Sequence, residues 1–187
     1  MANSIVLASS SPRRKQLLEW AEIAFEVIVK PVDETFPVGV KSTEAAINIA
    51  LKKAKAVQEE VGKDRIIIAA DTVVVLNGEV IGKPADQQEA VHTLTQLQGK
   101  MHQVVTGVAI LKGAKQLLFA DVTEVTFNPL TPEQILFYVE KYQPYDKAGA
   151  YAIQEWIGVV GIQSIKGDFY NVMGLPVNRV VQALANI

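Results

Sequence analysis

Residues 65–84, RIIIAADTVVVLNGEVIGKP, carry the clearest structural signal in the sequence. Its first half is apolar and rich in Ile and Val, which favour β-strands. Asn77-Gly78 then interrupts the run, and this dipeptide is typical of a two-residue hairpin turn because both positions tolerate positive φ. The stretch therefore predicts a long strand, a tight turn and a second strand.

Strand and helix patterns alternate on both sides of this hairpin. Runs rich in β-branched residues predict further strands at 4–8, 25–30, 103–111, 116–127, 150–154 and 158–165. Apolar residues at helical spacing, together with capping residues, predict helices at 12–21, 42–61, 86–99, 131–142 and from 176 onward. Because hairpins are mixed with strand-helix alternation, we predict an α/β fold with a mixed central β-sheet flanked by helices.

The composition is that of a folded globular protein, and we predict a single domain over residues 1–187. Apolar residues make up 49% and charged residues 20% of the chain, which excludes a disordered or collagen-like protein. The formal net charge of -2 predicts no general attraction to nucleic acid or to a membrane surface. No apolar run is long enough to span a membrane and the N-terminus does not resemble a signal peptide, so we expect a cytoplasmic protein.

Several common classes of site are absent from the sequence. The chain has no cysteine, which excludes disulfides, thiolate zinc sites and a cysteine nucleophile. It has no P-loop, dinucleotide-binding, nucleophile-elbow or zinc-protease motif. Its two histidines, His92 and His102, make a histidine metal site or a Ser-His triad improbable, and each is interpreted as a polar surface or strand residue.

The turn SSSPRRK, residues 9–15, places three positive charges at the start of a helix. Cations there are unfavourable by about 0.3 to 1 kcal/mol each, because they face the positive end of the helix dipole. A bound phosphate would reverse the sign, and hydroxyls, backbone N–H groups and two guanidiniums could together cradle it. The alternative is that these side chains simply lie in water.

Asp71 is unusual because it lies inside an apolar strand. Burial of an ionised carboxylate is costly, so the strand should carry Asp71 only if the carboxylate is paired, bound to metal or open to solvent at a cleft. The alternative is an exposed strand edge. Lys83 follows one strand later and Lys53 lies on the long helix; by composition alone, each is more often a solvated lysine.

The last third of the chain is rich in glycine, with Gly149, Gly158, Gly161, Gly167 and Gly174. Glycines at this density permit close approach of the backbone to a ligand, and they suit ordinary β-turns equally well.

Four segments, SSSPRRKQLL, AADTVVVLNGEVIGKP, YDKAGAYAIQ and YNVMGLPV, closely resemble in order and spacing the motifs of the Maf family. These proteins are nucleoside triphosphate pyrophosphatases once linked with septum formation, and the resemblance extends from Leu7 to Val177. It implies an elongated α/β fold similar to that of inosine triphosphate pyrophosphatases, with a cleft between two lobes. It also implies hydrolysis of a nucleoside triphosphate to the monophosphate and pyrophosphate, assisted by Mg²⁺ or Mn²⁺.

The resemblance also implies roles for individual residues. Asp71 matches the proposed proton acceptor, and with Glu34 it is a candidate metal ligand. The positions linked to substrate choice correspond to Arg13, Thr72 and Gln154. The polar lining of the cleft corresponds to Ser9, Arg14, Glu34, Lys53 and Lys83. Lys15 is assigned to solvent.

The ADT and AGAYAIQ versions of the motifs resemble the branch of the family that acts on dTTP and UTP. We therefore expect a nucleoside triphosphate substrate, with modified pyrimidine nucleotides as further candidates and a homodimer as a candidate assembly. The alternatives are a 7-methyl-GTP pyrophosphatase and a non-catalytic nucleotide-binding regulator of cell division. The unbroken set of acidic and basic residues favours the enzyme.

Overall fold

We describe residues 5–35 and 39–187 of a computed structural model of the chain. The seven strands of these residues are β1 (Ile5–Leu7), β2 (Glu26–Val27), β3 (Ile66–Leu76), β4 (Glu79–Ile81), β5 (Met101–Lys112), β6 (Lys115–Phe127) and β7 (Ile162–Lys166). The α-helices are α1 (Pro12–Trp20), α2 (Ser42–Val61), α3 (Gln87–Leu97), α4 (Pro132–Tyr142), α5 (Trp156–Gly161), α6 (Phe169–Met173) and α7 (Val177–Leu184). Two 3₁₀ turns are formed by Pro144–Asp146 and Ala148–Ala150. The predicted start of the first strand, residue 4, lies outside the described residues.

The predicted hairpin is confirmed. Strands β3 and β4 pair in antiparallel fashion, with Val75 opposite Val80. Asn77 and Gly78 have φ values of 53° and 87°, so both turn residues adopt the left-handed conformation that this dipeptide tolerates.

The helix starts follow from their capping residues. The side chain of Ser11 accepts a hydrogen bond from the Arg14 backbone, and Asp86 caps α3 in the same way. Thr131 and Gln134 form the reciprocal capping box that opens α4. Each of these helices begins within one residue of its predicted start.

The predictions of strands at 150–154 and 158–165 are wrong in part. Residues 151–155 form irregular backbone and turns, and residues up to Gly161 form α5 before β7 begins at Ile162. A Cβ atom on Gly158 would lie 1.7 Å from the Ile153 carbonyl oxygen, so the chain folds back tightly at this point instead of extending. Residues 150–153 are all buried, and a short buried run does not show by periodicity whether it forms strand or helix.

The strands form one mixed sheet in the order β2-β1-β3-β5-β6-β7, with β4 paired to β3. Strand β1 is parallel to both β2 and β3, whereas the β3–β4 and β6–β7 pairs are antiparallel. The predicted α/β class with a mixed central sheet is therefore confirmed. None of the described helices has the length and apolar character needed to cross a membrane.

The chain divides into two compact units. The first contains the described residues up to Thr72, together with Thr106–Asp121 and Gly174–Ile187. The second contains Val73–Val105 and Val122–Met173. The single domain over residues 1–187 stays a prediction.

The core of the first unit lies between α2 and one face of the sheet. Ala50, Ala54 and Val57 of α2 pack with residues in or directly after the strands, which include Val6, Ala8, Ile67, Ala69, Ala109 and Leu111. Because side chains alternate along a strand, Asp71 points to this α2 face and Thr72 to the opposite face. The side chains of these two neighbouring residues therefore lie on opposite faces of the sheet.

Gly107 brings α2 into backbone contact with β5. A Cβ atom on Gly107 would lie 2.3 Å from the backbone carbon of Ala46 and the backbone nitrogen of Ile47. No other amino acid fits there without displacing α2 from the sheet.

The second unit contains a buried aromatic cluster. His102 of β5 is 1% exposed, and its Nε2 atom lies 2.7 Å from the hydroxyl of Tyr151. The rings of Phe127 and Tyr151 pack against its imidazole. Burial lowers the pKa of His102 to about 4, so the imidazole is neutral at physiological pH.

Candidate active site

Lys53 joins two carboxylates in the first unit. Its Nζ atom lies 2.8 Å from Oδ1 of Asp71 and 3.1 Å from Oε1 of Glu34. Asp71 is 8% exposed, so the apolar strand carries a buried and paired carboxylate, not an exposed edge residue. Of the alternatives that the sequence left open for Asp71, the structure shows the pairing.

The position of Asp71 follows from the lengths of the strands. Strand β1 ends at Leu7, opposite Ile68, whereas its parallel neighbour β3 continues to Leu76. Asp71 therefore lies beyond the carboxyl end of β1, the kind of place where open α/β sheets bind ligands. Lys53 reaches it from α2, which covers the same face of the sheet.

Asp71 retains one oxygen for another partner. The ion pair uses Oδ1, and Oδ2 makes no hydrogen bond with residues 5–35 or 39–187. A carboxylate oxygen of this kind can accept a proton from water.

Arg14 forms a second cluster on the opposite face of the sheet. Its guanidinium donates hydrogen bonds of 2.8 Å to the Gly174 carbonyl, 3.0 Å to the Ser9 hydroxyl and 2.9 Å to the Thr72 hydroxyl. The residue is only 9% exposed. These bonds hold a cation at the start of α1 without requiring an anion there.

Burial lowers the pKa of Arg14 to about 10. The charges of Asp71 and Glu34 act in the opposite direction, and the nearby charge of Arg13 adds to the effect of burial. Arg14 thus stays protonated at neutral pH and places a positive charge close to the Asp71 carboxylate.

The hydroxyls of Ser9 and Ser11 are engaged within the protein. Ser9 Oγ accepts from the Ser11 backbone N–H at 3.2 Å as well as from Arg14. Ser11 Oγ accepts the capping bond from the Arg14 N–H at 3.5 Å. Of the groups predicted to cradle a phosphate, these two hydroxyls and the Arg14 side chain therefore already have protein partners.

Two members of the Arg14 cluster were missed by sequence reasoning. Thr106 Oγ1 lies 2.9 Å from Thr72 Oγ1, and the Gly174 carbonyl lies 3.4 Å from the same atom. Thr106 is completely buried and is polar within the apolar run VVTGVAIL, which was the available signal. Gly174 contributes its backbone carbonyl, and because every residue has one, the sequence could not have indicated this contact.

The remaining predicted site residues have simpler surroundings. Arg13 is half-buried on α1, beside Arg14. Lys15 is exposed and lies 3.7 Å from Glu19, as its assignment to solvent predicts. Lys83 and Gln154 belong to the second unit, where both side chains are exposed.

Asp71 and Glu34, the two carboxylates around Lys53, could supply two of the oxygen ligands of a divalent-cation site that a substrate completes. Asp71 and Glu34 each place an oxygen within about 3 Å of one point, the Lys53 Nζ atom. Mg²⁺ commonly binds one or two carboxylates and takes its other ligands from water and phosphate oxygens. Within the described part of the chain, no group of three His, Cys, Asp or Glu residues could hold a metal, so phosphate ligands would be needed.

Comparisons with known proteins agree with this architecture. A protein from Cytophaga hutchinsonii named dTTP/UTP pyrophosphatase is 50% identical over 96% of this chain and 82% of its own length. Proteins of the same name from Phocaeicola vulgatus and Bacillus cereus are 47% and 46% identical, over 98% and 96% of this chain and 95% and 93% of their own.

A structural comparison and a family model lead to the same assignment. The Staphylococcus aureus Ham1 protein superposes with a TM-score of 0.53 over 97% of both chains at 19% identity, and therefore shares the fold. The family model described as Maf-like protein matches residues 4–187. The chain belongs to the Maf-like protein family.

Proposed function

We propose that this protein hydrolyses dTTP and UTP to the nucleoside monophosphate and pyrophosphate. The observation that carries the proposal is the buried Asp71 carboxylate beyond the end of β1, paired to Lys53 through one oxygen only. Relatives named dTTP/UTP pyrophosphatase, at 45–50% identity over nearly the whole chain, support the same activity. Modified pyrimidine nucleotides are further candidate substrates.

Asp71 acts as the general base. Its free oxygen accepts a hydrogen bond from water, orients the water towards the α-phosphorus and takes its proton during attack. A bond forms between the water oxygen and the α-phosphorus, and the bond from that phosphorus to the bridging oxygen of pyrophosphate breaks. Lys53 holds the carboxylate in place from one side.

The basic residues stabilise the negative charge of the triphosphate. Arg13 and Lys53 supply cations to its oxygens, and Arg14 contributes its charge from a buried position. Because three of the Arg14 N–H groups are bound to protein acceptors, we assign to Arg14 an effect on the phosphates through its charge. Lys83 is assigned to the phosphates by family resemblance.

Asp71 and Glu34 would hold a Mg²⁺ or Mn²⁺ ion together with the substrate. Such an ion, when bound, neutralises phosphate charge and polarises the phosphoryl oxygens. Glu34 is half-exposed, so its carboxylate can turn from Lys53 towards a cation without leaving a buried charge.

Substrate choice is assigned to Arg13, Thr72 and Gln154. The Arg14 cluster fixes the Thr72 hydroxyl, so this residue presents one defined orientation. We further propose that the enzyme acts in the cytoplasm, binds neither nucleic acid nor membrane, and forms a homodimer.

The direct test is pyrophosphate release from a nucleotide panel that contains dTTP, UTP, CTP, GTP and 7-methyl-GTP, with Mg²⁺ or Mn²⁺. We expect preferred turnover of dTTP and UTP. A preference for 7-methyl-GTP would assign the chain to the other branch, and nucleotide binding without turnover of any substrate would favour a regulator.

The Asp71→Asn variant tests the assignment of the base. The amide keeps the shape of the carboxylate but is a poor proton acceptor, so kcat should fall by at least about a hundredfold. UTP binding, measured by calorimetry, should remain within about threefold of the wild type. Wild-type kcat in this variant would remove Asp71 from the mechanism.

A further inference from the structure

The segment Tyr151–Gln154 presents one exposed side chain at the end of a buried run. Tyr151, Ala152 and Ile153 are 6%, 4% and 4% exposed, whereas Gln154 is exposed. The segment lies between a 3₁₀ turn and α5 and forms no strand, so no sheet hydrogen bonds hold it. Contacts other than sheet pairing therefore hold the backbone around Gln154.

The hydroxyl of Tyr138 supplies such contacts on both sides of Gln154. It accepts a hydrogen bond of 3.1 Å from the Ala152 backbone N–H and donates a short hydrogen bond to the Glu155 carboxylate. Tyr138 is completely buried in α4, a helix that its capping box begins at Pro132. A single hydroxyl on a rigid helix therefore joins the residues that flank Gln154.

The same segment is anchored at two further points. Glu155 Oε1 lies 3.7 Å from Nζ of Lys147, which is 8% exposed. At the other end, the Tyr151 hydroxyl contacts the buried His102. These contacts hold the backbone on both sides of Gln154.

The chemistry of a glutamine amide explains why its orientation matters. The amide has a donor on one side and an acceptor on the other. Uracil and thymine offer O4 as an acceptor beside N3–H as a donor, whereas cytosine offers an N4 donor beside an N3 acceptor. Rotation of the amide by half a turn converts a match for uracil into a match for cytosine. A glutamine selects between the two bases only if the protein holds it in one orientation.

We propose that Tyr138 is a positioning residue for base selection, which holds the segment around Gln154 so that its amide favours uracil and thymine over cytosine. The inference rests on the proposed function, because it concerns the substrate of that site. It adds a residue of the second unit that acts through Gln154 and not by contact with the nucleotide.

Removal of the hydroxyl alone tests the proposal. The measurement is kcat/KM for UTP and for CTP in wild type and Tyr138→Phe. The ratio of kcat/KM for UTP to that for CTP should fall by about five- to tenfold, the size expected when the segment that carries Gln154 loses the hydrogen bonds of this hydroxyl. Glu155→Gln removes the charge from the other partner of the hydroxyl and should lower the ratio in the same direction.

Tyr142→Phe is the matched control, because Tyr142 lies on the same helix with its ring stacked on Tyr138 at 4.9 Å. Its ratio should remain within about twofold of the wild type. In a Gln154→Ala background, Tyr138→Phe should cause no further change, since the side chain on which it acts is gone.

Three outcomes separate the explanations. An unchanged UTP to CTP ratio in both Tyr138→Phe and Glu155→Gln overturns the inference. An equal fall in kcat/KM for both nucleotides also overturns it, because a merely structural role would lower the two values together. If the wild type itself turns over neither dTTP nor UTP, the proposed function fails and the inference fails with it.

Discussion

Arg14→Met tests whether the buried guanidinium stabilises the fold through its three hydrogen bonds. A typical hydrogen bond contributes about 1 kcal/mol net, so the three bonds to Ser9, Thr72 and Gly174 contribute about 3 kcal/mol. Methionine also removes the cost of burying a charge, which offsets part of this loss. We expect the free energy of unfolding to fall by about 2 kcal/mol.

The assay is urea unfolding, followed by far-UV circular dichroism. With a slope of about 2 kcal/mol per molar urea, the loss corresponds to a midpoint lower by about 1 M. Arg14→Lys should be at least as unstable as Arg14→Met, because an ammonium keeps the buried charge but cannot reach three acceptors at once.

Lys15→Met is the control, since Lys15 follows on the same helix and forms only an exposed pair with Glu19. Exposed pairs on helices contribute about 0.3 to 0.5 kcal/mol. If Arg14→Met is no less stable than Lys15→Met, the three bonds do not stabilise the fold and the reasoning is refuted.

Two further predictions concern ion pairing and pH. Lys53→Met should lower kcat/KM for UTP by about a hundredfold, because Asp71 loses its cation. Lys52→Met, on the exposed side of α2, is the control and should stay within about twofold of the wild type. Equal effects of the two substitutions would contradict the assignment of Lys53. The low pKa of His102 means that the unfolded chain takes up a proton between about pH 6.5 and pH 4 that the folded chain does not. The free energy of unfolding should therefore fall by about 2 to 3 kcal/mol as pH drops through this window, and the fall should shrink in His102→Gln but not in His92→Gln.

Local signals in the sequence were sufficient for much of the fold. Gly62 ends α2 at its predicted bound and Asn77-Gly78 places the hairpin, because each of these features acts through its immediate neighbours. The strand prediction for residues 150–161 was wrong because the shape of this segment depends on groups that are distant in sequence. The Ala152 N–H, which would pair with a neighbouring strand in a sheet, donates its hydrogen bond to the Tyr138 hydroxyl instead.

The candidate site shows the same limit. The position of Asp71 in an apolar strand predicted that the carboxylate needs a partner, and this follows from the cost of burial alone. The identity of that partner did not follow, because Lys53 on α2 looks like its exposed neighbours Lys52 and Lys55. The Gly174 carbonyl lies 160 residues from Arg14 in sequence, and only the folded chain brings the two together.

Because Gly107 has no side chain, α2 packs close to the sheet, and this position determines where the Lys53 ammonium lies. Ala46, which rests on that glycine, and Lys53 are separated by about two turns of α2, so both residues face the sheet. The backbone contact determines the height and register of the helix, and therefore where along β3 the ammonium arrives. One residue inserted between Ala46 and Lys53 would turn the ammonium by about 100° and move it by about 1.5 Å, away from Asp71. The length of this helical segment is consequently as much a part of the site as the charged residues it carries.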